Sequence, residues 1–362
     1  MKKPVSFPDI VVIIVVAILV IAGLLMVYSA SAIIAEQRYG STIVFLKKQL
    51  LWVLLGASAA FILQYFDYNY LQKLIWPILF IVFVLLVLVL FAPPVAGVHR
   101  WLRWGPIGLQ PSELAKLALI IYVAGALDRK QSKIQKLKGL TPLLLIVGTI
   151  CGLILVEPDL GTPFLIGMIV LGLFFAGGVR VKHIFYLTMP FVAAVFISLL
   201  TVSYRWKRMI AFLDPWADPQ GTGYQIVQSL LALGNGGWIG RGFGGSRSKL
   251  LYLPEPHTDF IFPILGEEWG LLGSFLIMFL FGVLFWRGLK IAAQAPNLFG
   301  SLLATGITIY ISFQALLNIS VSCGLLPTKG IPLPFLSFGG SSILFTLAAV
   351  GILLNISRQS KV

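Results

Sequence analysis

Charged residues and cysteines are scarce in this sequence of 362 residues, and each shortage excludes a class of protein. Only 11% of the residues are charged and 58% are hydrophobic, whereas soluble domains carry roughly 25% charged residues. A soluble fold of this length cannot bury so much apolar surface, so lipid must be the solvent for most of it. The two cysteines, Cys151 and Cys323, lie in or beside apolar runs and indicate no disulfide framework.

Acidic residues are fewer than basic ones, and the formal net charge is +14. No long basic tract or soluble domain concentrates this charge, which argues against nucleic acid as a partner. We expect anionic membrane lipids and phosphate-bearing lipid substrates instead.

Ten apolar runs approach the length of about 20 residues that crosses the hydrocarbon core of a membrane. The first run, after Lys2 and Lys3, resembles a secretory signal but exceeds the ~7–15 apolar residues of one, so we interpret it as a retained helix. The sequence predicts an all-α integral membrane protein with about ten transmembrane helices in a single polytopic domain, residues 1–362. The predicted spans are 9–33, 45–65, 72–92, 111–128, 140–156, 162–178, 183–202, 261–287, 299–323 and 336–357.

The distribution of Lys and Arg among the short loops predicts the orientation of these spans. It favours a cytoplasmic location for both termini, and an even number of spans agrees with that. The longest loop, 203–260 between the seventh and eighth spans, is then extracytoplasmic. It is rich in aromatic residues, and its stretch Tyr224–Leu233 predicts a short amphipathic helix at the membrane interface.

Ionisable residues inside membrane spans are costly and suggest a function. Glu113 and Lys116, just after Pro111, are three residues apart and share a helix face, where they can pair. A purely structural ion pair is an equally good interpretation. A second acid, Asp159, lies in a predicted outer turn, and the alternative there is capping of the next helix.

Asp259 lies at the predicted boundary between the long loop and the eighth span. A partly desolvated carboxylate at such a boundary is a better base at neutral pH. The alternative is an N-cap, because an apolar run follows. His257 beside it is more typical of a structural or interfacial histidine.

The segment Gly234–Gly245 is rich in glycine and has Arg241, Arg247 and Lys249 in or beside it. It matches no nucleotide-binding fingerprint, so exposed backbone N–H groups for a phosphate and plain turns both remain open. Arg208, among the basic residues after the seventh span, is typical of a residue that faces water or lipid headgroups. The sequence contains no His/Cys spacing typical of a zinc site.

Several motifs occur in an order that resembles the SEDS family of bacterial cell-wall proteins, which includes FtsW, RodA and SpoVE. The resemblance covers residues from about 10 to 358, and two motifs favour the FtsW and SpoVE members over RodA. These two are Gly223-Tyr224-Gln225 and Leu326-Pro327-Thr328-Lys329-Gly330. The other motifs are Arg100-Trp101, 110–116 (QPSELAK), 157–162 (EPDLGT), Leu253-Pro254-Glu255, 257–260 (HTDF), Pro332-Leu333-Pro334 and Gly339-Gly340-Ser341.

The resemblance implies a multi-pass protein of the bacterial cytoplasmic membrane with peptidoglycan glycosyltransferase activity, in cell division or elongation. The enzyme would polymerise lipid II into glycan strands and release undecaprenyl pyrophosphate, beside a class B penicillin-binding protein that supplies transpeptidation. By motif, Asp259 matches the family's essential loop aspartate, Glu113 and Lys116 match its buried ion pair, and Asp159 matches another functionally sensitive acid.

The leaving pyrophosphate needs positive charge, and Arg100, Lys116, Arg208 and Lys249 are the candidates. Motif residues Gln225, His257 and Lys329 would support substrate binding. No cofactor is firmly implied, although a divalent cation, Mg²⁺ or Mn²⁺, could assist the leaving group.

Two other functions remain open from the residues themselves. A lipid II flippase would also need charged residues within spans and broken helices. A scaffold that only activates its transpeptidase partner would not need the chemistry of Asp259. The crowding of polar groups on the predicted outer face favours the enzyme.

Overall fold

A computed structural model describes residues 7–95, 97–105, 107–129, 135–189, 193, 203–250, 256–328 and 330–360. The side chains of residues 104, 107, 203–205, 207 and 208 lie outside this description. Most of the described chain is helical. In chain order the helices are α1 (Ile10–Tyr39), α2 (Val44–Leu63), α3 (Asn69–Lys73), α4 (Ile75–Leu90), α5 (Pro111–Arg129), α6 (Leu137–Val156), α7 (Gly161–Ala176), α8 (181–189), α9 (Ser203–Leu213), α10 (Tyr224–Gly236), α11 (Ile261–Gln294), α12 (Leu298–Ser322) and α13 (Gly340–Gln359).

Six of the described helices are long and apolar enough to cross a membrane, namely α1, α2, α6, α11, α12 and α13. Helices α4 and α7 are equally apolar in character but have 16 residues each, and α5 has 19 residues and contains charged groups. These helices confirm a mostly helical membrane protein. The predicted span 183–202 lies largely outside the described residues, and the number ten stays a prediction.

The helices differ in how much of their surface meets other helices. Nearly every residue of α13 is buried, whereas α2 turns most of its apolar side chains outward, among them Leu54 and Phe61. A helix that is apolar all round is stable either in a protein core or in lipid. We conclude that α13 forms the centre of the bundle and that α2 packs against it from the lipid side.

Polar contacts define two opposite ends of the bundle. At one end Asp9, before α1, forms an ion pair with Arg287 of α11, and its backbone N–H donates to Ser357 Oγ of α13 at 3.1 Å. At the same end of α13, Asn355 Nδ2 donates to Gln64 O after α2 at 2.8 Å. We call this the terminal end. The opposite end lies about 30 Å away along α13, given its 20 residues and a rise of about 1.5 Å per residue. It contains Gly340 at the start of α13, the segment 330–339 and the turn 256–260, and we call it the site end.

Helix α11 is broken near the site end, where Gly270 has φ 69° and ψ −168°. The break frees the carbonyl groups of Glu267 and Glu268, which accept from the N–H groups of Arg241 and Gly242, both at 3.0 Å. After the break, Leu271 N–H donates to Gly237 O at 2.9 Å. Inside a membrane such groups must be paired within the protein. The glycine-rich segment therefore supplies hydrogen-bond partners for the broken helix. Because the N–H groups of Arg241 and Gly242 bind this helix, they favour the interpretation of the segment as plain turns over a phosphate-binding loop.

The predicted amphipathic helix in the long loop is confirmed as α10, which extends to Gly236. Its apolar face is covered by protein, because Ile226 and Val227 are buried against α11 and α12. Ser229 Oγ also donates to Ser322 O at 2.6 Å. The helix is thus docked on the bundle at the site end, in addition to any contact it makes with lipid.

Three local features differ from the sequence prediction. The third span is divided at Leu74 into α3 and α4, and an antiparallel hairpin, β1 (Leu102–Trp104) with β2 (Ile107–Leu109), precedes α5. The last helix begins at Gly340, four residues later than predicted. Prolines at 332 and 334 lack the backbone N–H that a helix needs, so the segment 330–339 is irregular.

We predict that Gly351→Ala destabilises the bundle, because α2 and α13 approach closely there. A Cβ at Gly351 would lie 2.5 Å from Ala60 Cα and 2.6 Å from Ala60 O. Overpacking of this kind costs about 1–3 kcal/mol, which a thermal unfolding curve in detergent would detect as a lower Tm. Gly282→Ala in α11 is the control, because a Cβ there meets nothing within 4 Å. Equal melting temperatures for the two variants would contradict this packing.

Candidate functional site

The predicted pair of Glu113 and Lys116 exists at the start of α5. Lys116 Nζ lies 2.9 Å from Glu113 Oε1, and both side chains are buried. Lys116 also donates to Gln314 Oε1 at 2.8 Å and lies 4.9 Å from the centre of the Tyr310 ring. A buried ammonium is tolerated only where its donors are paired in this way. The contact with Gln314 joins α5 to α12.

Two amide side chains of α12 hold the segment that follows it. Gln314 Nε2 donates to Pro332 O at 2.9 Å. One helical turn later, Asn318 Nδ2 donates to Ile331 O and to Asp259 O, both at 2.8 Å. Through these bonds α12 connects the buried ion pair with the turn that carries Asp259.

The turn 256–260 precedes α11 and packs against the segment 330–339. Ser337 Oγ donates to Thr258 O at 2.5 Å, and Phe338 N–H donates to His257 O at 2.8 Å. The N-cap of α11 is Phe260, so Asp259 does not occupy that position. A Cβ built on Gly330 would lie 3.2 Å from Asp259 Oδ2, which brings this carboxylate against the backbone of the segment 330–339.

His257 is a buried residue of this turn. Its ring lies 4.7 Å from the Phe45 ring and 5.6 Å from the Phe338 ring, measured between centres. Gln49 of α2 secures the same region, because its Nε2 donates to Ser337 O at 3.1 Å. These contacts agree with a structural role for His257 in support of its neighbour Asp259.

The α6–α7 turn also reaches the segment 330–339. Asp159 accepts from Thr162 N–H at 3.1 Å and from Thr162 Oγ1 at 2.8 Å. The N-cap of α7 is Leu160, so Asp159 binds the first turn of α7 from the position before the N-cap. A Cβ on Gly161 would lie 2.8 Å from Ile331 Cγ1. Glycine at 161 therefore lets the turn that carries Asp159 pack directly on Ile331.

Arg100 is bound to the same turn. Its Nε donates to Glu157 O at 3.0 Å, and its guanidinium also donates to Pro158 O. The side chain of Glu157 is buried, and neither carboxylate oxygen has a hydrogen-bond partner among the described residues. Burial, followed by the nearby charge of Asp159, raises the pKa of Glu157 to about 8, although Arg100 opposes the shift.

Sequence reasoning placed Glu157 in a motif but gave it no role. The signal that could have identified it is an acid directly after an apolar run and two residues before another acid. Such a residue is predicted to be desolvated and repelled, which favours its neutral form.

The other predicted binding residues are distributed as follows. Lys249 Nζ donates to Ser29 Oγ, Gly244 O and Glu268 Oε1 at 2.7–2.9 Å, so its three donors are occupied. Gln225 lies in the first turn of α10. The side chain of Arg208 and the whole of Lys329 lie outside the described residues.

Two further features concern possible ligands. The part of the chain that the structure describes contains no group of three or more His, Cys, Asp or Glu residues that could hold a metal ion. An apolar cavity of about 290 Å³ lies between α6, α7 and α8 and begins beside the α6–α7 turn. Its lining near that turn includes Leu155, Leu160 and Pro163.

The fold and this site define a polytopic membrane protein whose buried ionisable groups converge at one end of a helical bundle. Residues 9–362 match the family model of FtsW, RodA and SpoVE, described as cell cycle proteins. The chain therefore belongs to the FtsW/RodA/SpoVE family, as the motifs predicted.

Relatives within this family cover almost the whole chain. The chain is 41% identical to the "probable peptidoglycan glycosyltransferase FtsW" of Geobacter metallireducens, over 99% of this chain and 97% of the relative. It is 44% identical to stage V sporulation protein E of Bacillus subtilis, over 98% of each.

Solved structures show the same architecture. A chain from a structure titled "Structural coordination of polymerization and crosslinking by a peptidoglycan synthase complex" matches with a TM-score of 0.81 and 30% identity, over 97% of this chain and 98% of that one. The rod shape determining protein RodA of Thermus thermophilus matches with a TM-score of 0.71 and 27% identity, over 98% of each chain.

We predict that ionisation of Glu157 destabilises the folded protein as the pH rises. Between its ordinary pKa of 4.5 and its raised pKa of about 8, the native state holds more protons on this carboxyl than the unfolded chain does. The free energy of unfolding therefore falls as the pH rises through this range and levels off above it. Glu157→Gln should reduce this decline, as measured by Tm in detergent across the same range.

Glu36→Gln, at an exposed glutamate near the end of α1, is the matched control and should leave the pH dependence as it is in the parent protein. A Glu157→Gln profile with the parent's full decline would show that Glu157 does not cause it.

Proposed function

We propose that this protein is a peptidoglycan glycosyltransferase that polymerises lipid II into glycan strands, in cell division or elongation, and releases undecaprenyl pyrophosphate. One observation carries the proposal. Asp259 lies at the site end, in a turn that α11, α12 and the segment 330–339 hold together. The relatives named as peptidoglycan glycosyltransferases support it.

The reaction needs one inversion at a sugar carbon, because the donor bond is α and the polymer linkage is β-1,4. A single base is therefore sufficient for the nucleophile. In our proposal Asp259 accepts the proton of the acceptor's GlcNAc 4-hydroxyl, and that oxygen attacks C1 of the MurNAc on the growing chain. The bond from C1 to the pyrophosphate oxygen breaks, and undecaprenyl pyrophosphate leaves with the bonding electrons.

The leaving group carries negative charge, which basic residues at the site end would stabilise. Lys116 and Lys249 already donate to buried acceptors, so either would have to exchange partners. Arg100 also donates to carbonyl groups, those of Glu157 and Pro158 in the α6–α7 turn, but its side chain is only partly buried. This exposure makes it the favoured candidate among the described basic residues. Arg208 and Lys329 stay predictions. A divalent cation also stays a prediction, and no step of this mechanism uses one.

An isoprenoid substrate explains why such an enzyme would be built within a membrane. The apolar cavity between α6, α7 and α8 is lined at one end by Leu160, the residue after Asp159, and has the chemistry that suits a lipid tail. We propose ten spans in the bacterial cytoplasmic membrane, with both termini cytoplasmic and residues 203–260 outside. The shared position of Asp9 and Ser357 at the terminal end supports a common side for both termini.

The proposed partner is a class B penicillin-binding protein, which would crosslink the strands that this chain polymerises. The support is the similarity to a chain of a peptidoglycan synthase complex, whose title names both polymerisation and crosslinking.

The proposal predicts that Asp259→Asn abolishes polymerisation without loss of folding. Asparagine has nearly the same shape but cannot accept the proton, and general-base catalysis contributes roughly 10²–10⁴-fold to rates. The assay supplies labelled lipid II to the full chain copurified with a class B penicillin-binding protein and measures glycan length. Asp218→Asn, at an exposed aspartate of the same loop, should retain the parent rate.

The same preparation separates the alternatives. A folded, partner-bound Asp259→Asn protein that polymerises at the parent rate would show that Asp259 is not the catalytic base. Translocation of labelled lipid in vesicles by a parent protein that never forms polymer would favour a flippase. Stimulation of the transpeptidase without polymer or translocation would favour a scaffold.

We also predict that Gly330→Ala lowers the polymerisation rate more than it lowers stability. Its Cβ would press on Asp259 Oδ2 from 3.2 Å, so the carboxylate must move by a few tenths of an ångström. Small displacements of a reacting group can cost up to about 10²-fold in rate. Gly282→Ala, where a Cβ has open space, is the control for the assay. A Gly330→Ala protein with the full parent rate would show that this contact does not constrain the base.

A further inference from the structure

We infer that Gln314 and Asn318 of α12 are positioning residues, which set the location of the Asp259 carboxylate through the backbone segments they bind. The inference rests on the proposed function, in which Asp259 is the base. Neither residue belongs to the motifs that predicted the site, and both are almost fully buried.

Asn318 uses one nitrogen to join two distant parts of the chain. A side-chain amide nitrogen carries two hydrogens, and here they go to Asp259 O and Ile331 O. Its own oxygen, Oδ1, is buried without a hydrogen-bond partner among the described residues. Both donors of the side chain bind backbone carbonyl groups, whereas its acceptor has no partner among the described residues. This indicates that the main role of the side chain is to hold these two segments together.

Gln314 has an orientation that its partners determine. The ammonium of Lys116 can only donate, so it must face Gln314 Oε1, and this turns Nε2 towards Pro332 O. The buried pair of Lys116 and Glu113 therefore orients an amide that in turn holds the segment 330–339. The ion pair can therefore influence the position of the segment 330–339 without contacting substrate.

The two amides hold both the backbone of Asp259 and the neighbouring segment 330–339. Asn318 binds the backbone of Asp259 itself, and the two amides bind the residues that directly follow Gly330, which lies beside the Asp259 carboxylate. These carbonyl groups are buried or partly buried, so a carbonyl that loses its donor would move to find another one. Loss of either amide should therefore displace the carboxylate.

The test compares Asn318→Leu with Asn355→Leu, its matched control. Asn355 is also a buried asparagine whose Nδ2 holds a loop carbonyl, but it lies at the terminal end. Polymerisation of labelled lipid II is measured per folded, partner-bound complex, as kcat, KM and rate against pH. We expect Asn318→Leu to lower kcat by at least about 10-fold, with KM within about 2-fold of the parent and a shifted midpoint of the pH–rate profile. We expect Asn355→Leu to lower Tm and to keep both kcat and the midpoint.

A second variant covers a failure of Asn318→Leu to fold. Gln314→Met keeps the length of the side chain and removes both the bond to Pro332 O and the acceptor for Lys116. It should lower kcat and shift the midpoint in the same direction by less. If the folded Asn318 and Gln314 variants keep the parent kcat and midpoint, the inference is wrong. Asp259→Asn in the same experiment distinguishes failure of this inference from failure of the proposed function, because an active Asp259→Asn protein would overturn the proposed function itself.

Discussion

Backbone carbonyl groups in turns and irregular segments have no helix or sheet to pair with, so the protein must supply donors for those that it buries. At the site end, the donors for Asp259, Ile331 and Pro332 come from two amides one turn apart on α12. The location of the carboxylate, the close approach of Gly330 and the packing of the α6–α7 turn on Ile331 all depend on these bonds. They let an irregular segment with two prolines stay ordered at the centre of the site.

The same requirement explains the form of α11 and of the loop before it. Once Gly270 breaks the helix, the freed groups of Glu267 and Glu268 need new partners, and the segment 236–245 supplies them. Gly240, with φ 78°, lets the two backbones come into contact. The carboxylate of Glu268 accepts from Lys249 through Oε1, and that of Glu267 accepts from Ser246 Oγ.

Sequence patterns predicted the features that depend on local composition. Apolar length identified α2 and α12 to within about two residues, and the spacing of Glu113 and Lys116 predicted their pairing. The patterns could not predict contacts between distant residues. Gln314 lies 198 positions from Lys116, and nothing in a helical apolar run distinguishes an amide that binds a backbone carbonyl from one that faces another helix. The break in α11 was missed for the same reason, because its cost is offset by a loop some thirty residues earlier.

The proposed chemistry requires the Asp259 carboxylate to be close enough to a sugar hydroxyl to take its proton. A structure of the full chain with its penicillin-binding partner and an unreactive lipid II analogue at the acceptor position would test this most directly. We expect a distance of about 2.6–3.2 Å between an Asp259 oxygen and the GlcNAc 4-hydroxyl. A 4-hydroxyl bound to a different base, with Asp259 facing away from the sugar, would contradict it.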